Sequence, residues 1–89
     1  MPPPILMYFS ESCPFCIRAE HLLQQRGITA IDKIHVDRQP ALRKEMTRLT
    51  GQYTVPQIFI GDYHVGGCDE LFEHDRDGRL AALLASTED

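Results

Sequence analysis

Apolar residues fall along this chain in short clusters whose period changes from one to the next, and each change marks an element. Ile5-Leu6-Met7-Tyr8-Phe9 is a continuous apolar run bounded by Ser10-Glu11-Ser12. It is too short for a helix and reads as a buried strand. Beyond the loop, Ala19, Leu22 and Leu23 recur at helical spacing, while Arg18, Glu20, Gln24 and Gln25 supply a wet face. That helix is predicted from Cys13 or Pro14 to about Arg26, because proline suits a first turn and Gly27 suits a stop. Ile31, Ile34 and Val36 mark a second, less regular strand. Pro40 opens another helix with Leu42, Met46 and Leu49 on its apolar stripe and Gly51 behind it. Val55-Pro56 leads into a third strand, Gln57 to Ile60. Gly61-Asp62 is a two-residue hairpin signal, followed by a strand from Tyr63 to Val65. Gly66-Gly67 then turns the chain into a helix starting near Cys68 or Asp69, and Leu80, Leu83 and Leu84 give a last helix its buried face. Tyr8, Phe9 and Phe59 read as core.

The order β-α-β-α-β-β-α-α is that of an α/β protein. Its first half needs a right-handed parallel crossover and its second adds a hairpin to the same sheet. The result is a four-stranded mixed sheet with helices on both faces. Chemistry in such a sheet sits beyond the carboxyl end of a strand, where the loop after Phe9 carries Cys13. At 89 residues the chain is expected to form one domain, 1–89, with residues 1–4 as a solvated, proline-rich lead-in.

Charge and cysteine usage narrow the function. A net charge of −4 leaves no basic footprint for nucleic acid or an anionic membrane surface. Met1-Pro2-Pro3-Pro4 lacks the basic and apolar regions of a secretory leader, and no stretch approaches the ~18 apolar residues of a membrane span. Partners are therefore expected among proteins and small molecules. The three cysteines are an odd number, unlike the disulfide framework of a small secreted domain, and fit a reducing cytoplasm.

Two of those cysteines form Cys13-Pro14-Phe15-Cys16. The pair can interconvert between dithiol and disulfide, and unpaired amides and the dipole at a helix start stabilise an anion on the first sulfur. A structural zinc site would need further ligands in a metal-binding pattern. Cys68 stands alone, and His21, His35, His64 and His74 have no such spacing. A static disulfide here would close too small a loop to constrain the unfolded chain much. An exchanging pair is the reading that remains.

With Cys13-Pro14-Phe15-Cys16, Thr54-Val55-Pro56 and Gly66-Gly67-Cys68-Asp69 in order, the chain resembles a dithiol glutaredoxin of the small single-domain bacterial type, over roughly residues 5–84. The resemblance implies a thioredoxin-like fold and glutathione-dependent thiol-disulfide exchange, with glutathione as co-substrate and no metal. It implies that Cys13 is the nucleophile and Cys16 the resolving thiol. Val55 would pair through its backbone with the cysteinyl part of glutathione, presented by a cis Pro56. Gly67, Cys68 and Asp69 would cradle the γ-glutamyl group, Arg43 would reach the glycine carboxylate, and Phe15 and Thr54 would complete the site.

The implied partners are glutathionylated or disulfide-containing proteins, ribonucleotide reductase among them, met by a cytoplasmic monomer. Two positions depart from the family pattern: Ser10 stands where many dithiol members carry lysine, and Phe15 where tyrosine is commoner. An alternative function is that of a dimeric iron–sulfur cluster carrier using Cys13 and glutathione. Pro14 argues against it, since cluster-binding relatives usually have a smaller residue there.

Overall fold

A computed structural model of the chain describes residues 4–85. Its elements are β1 (Ile5–Phe9), α1 (Pro14–Gln25), β2 (Asp32–His35), α2 (Pro40–Thr50), β3 (Gln57–Ile60), β4 (Tyr63–Gly66), α3 (Cys68–Arg76) and α4 (Arg79–Ala85). The strands form one four-stranded sheet in the order β2-β1-β3-β4. β1 runs parallel to β2, with Tyr8 opposite Ile34, and antiparallel to β3, with Met7 opposite Ile58. β3 and β4 form the antiparallel hairpin, turning at Gly61 with φ +59°.

Alternation along β1 explains its unbroken apolar run. Ile5, Met7 and Phe9 face Ala19, Leu22 and Leu23 of α1, Leu71 of α3 and Leu80 of α4. Tyr8 faces the other way, toward Val36 and Met46 of α2. A strand covered by helices on both faces has no side left to be polar. β2 lies at the sheet edge, which explains its irregular pattern: Asp32 and Lys33 are exposed, and Lys33 pairs with Glu20 at 2.6 Å. The strand is shorter than the span from Ile31 to Val36, although the Val36 N–H still bonds to the Phe9 carbonyl at 3.0 Å.

One expected core residue is displaced. Leu49 is 49% exposed: the core under α2 is a small cluster of Tyr8, Val36 and Met46, and Leu49 is not among the side chains packed against it. Of the lead-in, Met1 to Pro3 lie outside the described residues, whereas the Pro4 carbonyl accepts the Gly61 N–H at 2.8 Å.

Candidate active site

The end of β1 sets up the first cysteine. Ser10 is buried, and its carbonyl accepts the Cys13 N–H at 3.2 Å, folding the loop back toward the sheet. Cys13 is extended (φ −96°, ψ 109°) and caps α1: its sulfur accepts the Cys16 N–H at 3.3 Å, with Pro14 in the first turn. A helix start usually takes an oxygen from Ser, Thr or Asp for this purpose. Here a sulfur takes the place, at the positive end of the helix dipole.

Cys13 is half-buried and Cys16 fully buried. Burial, reinforced by the hydrogen bond with Cys13, pushes the Cys16 thiol up to about 12. The two sulfurs are thereby differentiated: one lies at the helix mouth, and the other is held protonated beneath it. Cys68 is buried at the start of α3, and its thiol is likewise pushed up, chiefly by desolvation.

Facing Cys13 is the loop between α2 and β3. The Val55–Pro56 peptide is cis, and the Cys13 thiol donates to the Val55 carbonyl at 3.7 Å. Beside this contact lies a cleft of about 170 Å³, whose walls include Phe15 from α1, Thr54, Val55 and Pro56 from the loop, and Gly67, Cys68 and Asp69 from the start of α3. Seven of the expected glutathione residues thus come together, although Phe15 is separated from the other six by at least 38 positions. Phe15 is 53% exposed and turns its ring outward as a rim.

Glycine is needed where α3 meets the loop. Gly66 has φ +115°, and a Cβ there would stand 3.0 Å from the Glu70 side chain. A Cβ on Gly67 would stand 3.3 Å from the Pro56 carbonyl oxygen. The close approach of the helix start to the cis-proline loop therefore depends on Gly67, and the turn into the helix on Gly66.

Arg43 is not in this cleft. It lines a separate depression of about 600 Å³ with Val36, Lys44 and Tyr53, and its Nη1 donates to the Tyr53 carbonyl at 2.6 Å. Ser10 directs its hydroxyl to Ser12 at 3.4 Å.

Three cleft residues escaped the sequence reading: Gln52, Gln57 and Glu70. Glu70 Oε1 accepts the Gly67 N–H at 2.8 Å, a reach-back from the third helical position that the Gly-x-x-Glu spacing could have signalled. The first-turn amides of Cys68 and Asp69 have no partner among the described residues. Gln57 is a polar residue opening an apolar strand, with His64 near it across the hairpin. That pairing was the available signal. Burial lowers the His64 imidazolium pKa, with the Glu70 charge opposing.

An α/β sheet that holds an N-capping cysteine against a cis-proline loop, with a second thiol buried beneath it, defines an oxidoreductase of the thioredoxin-like class. Comparison with known proteins narrows this class. The Glutaredoxin family model matches residues 5–65. The chain is similar to a glutaredoxin of Pseudomonas aeruginosa, 49% identical over 94% of this chain and 99% of the relative. It is also similar to glutaredoxin 3 of Escherichia coli, 44% identical over 88% and 93% of the two chains. Among solved structures, the glutaredoxin–glutathione complex of buckwheat aligns with a TM-score of 0.84 at 35% identity, covering 92% of this chain and 76% of that one. The chain belongs to the glutaredoxin family, and it is a glutathione-dependent oxidoreductase. Among the described residues no helix is long and apolar enough to cross a membrane, and no group of three or more His, Cys, Asp and Glu side chains is gathered to hold a metal ion.

Proposed function

We propose that this protein reduces protein–glutathione mixed disulfides and protein disulfides through Cys13 and Cys16, with glutathione as the electron source. The observation that carries the reading is the Cys13 sulfur, capped by the Cys16 N–H and set against the Val55 carbonyl at the edge of the cleft. The Cys13 thiolate attacks the glutathione sulfur of the mixed disulfide. A Cys13–glutathione disulfide forms, the sulfur–sulfur bond between glutathione and the protein breaks, and the protein thiolate takes a proton from water. A glutathione thiolate then attacks the glutathionyl sulfur, giving oxidised glutathione and freeing Cys13.

For a protein disulfide, Cys13 forms a mixed disulfide with the substrate. The Cys16 proton passes to the departing substrate sulfur as Cys16 attacks Cys13, closes the internal disulfide and releases the second substrate thiol; two glutathione molecules then restore the dithiol and leave as oxidised glutathione. The high Cys16 pKa supports this order, because a protonated, buried thiol does not compete for the first attack.

The cleft supports glutathione as the ligand. The Val55 N–H has no partner among the described residues, and its carbonyl meets only the Cys13 thiol, which leaves a donor and an acceptor for an extended peptide. The amides of Cys68 and Asp69 suit a carboxylate and the Asp69 side chain an ammonium, the two charges of a γ-glutamyl end. Gly67 contributes space more than its own N–H, which Glu70 already holds. Arg43 meets a glycine carboxylate only if it turns away from Tyr53. Proteins bearing disulfides or glutathionyl groups, ribonucleotide reductase among them, are the partners we assign to a monomer working in the cytoplasm.

A coupled assay tests this reading: NADPH consumption with glutathione and glutathione reductase on a small glutathione mixed disulfide, run beside thioredoxin reductase without glutathione. Turnover in the first system alone is expected, and turnover only with thioredoxin reductase would overturn it.

A further inference from the structure

The loop that faces Cys13 has almost no backbone support of its own. Among the described residues, no backbone-to-backbone hydrogen bond outside the regular elements involves residues 52–56. Side chains hold it instead. Thr50 Oγ1 accepts the Gln52 N–H at 3.0 Å, and Arg43 holds the Tyr53 carbonyl. The carbonyl of Thr54, immediately before the residue that faces Cys13, accepts from Gln57 Nε2 at 3.0 Å.

Gln57 is 0% exposed, so each of its amide groups needs a partner inside the protein. Nε2 also donates to Gln52 Oε1 at 3.2 Å, and Oε1 accepts from His64 Nε2 at 2.8 Å. The Thr54 carbonyl only accepts, so it fixes the amide with its nitrogen toward the loop; the oxygen then faces β4 and takes the His64 Nε2 proton. His64 is itself held by its ring packing on Phe59, centroids 4.9 Å apart. Two strands of the rigid sheet therefore reach out through one amide to a loop that lacks a ladder.

We propose that Gln57 and His64 are positioning residues for glutathione, acting by holding the Thr54 carbonyl so that the Val55 backbone stands ready to pair with the ligand. The proposal rests on the reading of the cleft as a glutathione site. Neither side chain takes part in the sulfur chemistry. Their removal therefore acts on KM for the glutathionylated substrate and leaves the reactivity of Cys13 as it was.

The test compares Gln57→Met, His64→Leu and His64→Gln with the wild type. Methionine keeps the volume of glutamine without its hydrogen bonds, and glutamine at 64 offers an amide donor in place of the histidine Nε2. Gln57→Met and His64→Leu are expected to raise KM about three- to tenfold, the scale of one lost buried hydrogen bond. Their kcat and their rate of Cys13 alkylation by iodoacetamide stay within about twofold on the same argument. His64→Gln is expected to recover most of the wild-type KM.

Unchanged KM in both Gln57→Met and His64→Leu, with only a lower melting temperature, would overturn the proposal by reducing the pair to strand support. If Gln57→Met fails to fold, His64→Leu against His64→Gln still decides. If the wild type itself fails on mixed disulfides, the functional reading falls separately. Nitrogen relaxation of the Val55 amide then decides the positioning claim: greater mobility in Gln57→Met or His64→Leu supports it, and equal mobility refutes it.

Discussion

The sulfur of Cys13 lies 3.7 Å from the carbonyl oxygen of Val55, a residue 42 positions further along the chain. This contact joins the start of α1 to the cis-proline loop, and it divides the labour between the two active-site thiols. Cys13 faces the loop and the cleft, while Cys16 points into the core. Cys13→Ser is therefore expected to abolish all exchange. Cys16→Ser should retain turnover of glutathione mixed disulfides and lose efficient reduction of intramolecular protein disulfides. Parallel assays on one substrate of each kind check this, and activity remaining in Cys13→Ser would contradict it.

The buried thiol also leaves a mark on stability. Cys16 titrates near 12 in the folded protein, against about 8.5 for an unfolded cysteine. Below about pH 8.5 both states hold the proton and the group has no effect on the slope. Above it the unfolded chain loses its proton first, so folding stability falls as pH rises, by up to about 1.4 kcal/mol per pH unit from this group. Urea unfolding of the reduced protein between about pH 8.5 and 10 should show the wild type losing stability faster than Cys16→Ala. Parallel slopes would mean that Cys16 is not held protonated by its surroundings.

The two glycines before α3 are expected to fail differently. Gly66→Ala forces a side chain into a positive-φ backbone, φ +115°, against Glu70, and should cost about 1–3 kcal/mol of stability. Gly67→Ala keeps an accessible backbone and pushes a methyl group toward the Pro56 carbonyl. Its effect should fall on KM for glutathione more than on melting temperature. Thermal melts and Michaelis constants for the two variants separate these outcomes, and a shared loss of stability with equal KM would refute the distinction.

Much of this arrangement was legible in the sequence, for reasons that differ between its parts. The strands and helices follow from local period, and Cys13, Pro14 and Gly51 sit where they do because helix ends need caps. The gathering of Thr54, Val55, Pro56, Gly67, Cys68 and Asp69 beside Cys13 rested on their likeness to a family pattern. Local spacing alone carries no information across 42 residues. Leu49 misled because periodicity gives the direction of a side chain and says nothing about how far the core extends beneath it.

Arg43 was assigned by its likeness to a family position and is found bonded to the Tyr53 carbonyl, a contact set by the path of an irregular loop. Gln57 stayed hidden for a related reason. A glutamine at a strand start reads as an exposed polar residue until the hairpin sets His64 opposite Phe59, within reach of the Gln57 amide, and the loop brings the Thr54 carbonyl to its other end.

The central claim is that Cys13 is the sulfur that receives the glutathionyl group. Its most direct measurement is a single turnover of Cys16→Ser with a glutathionylated peptide, followed by intact mass and peptide mapping of the product. The account predicts one glutathionyl group on Cys13, formed at the same rate as the free peptide thiol appears. An adduct mapping to Cys68, or peptide thiol released without any adduct on Cys13, would contradict it.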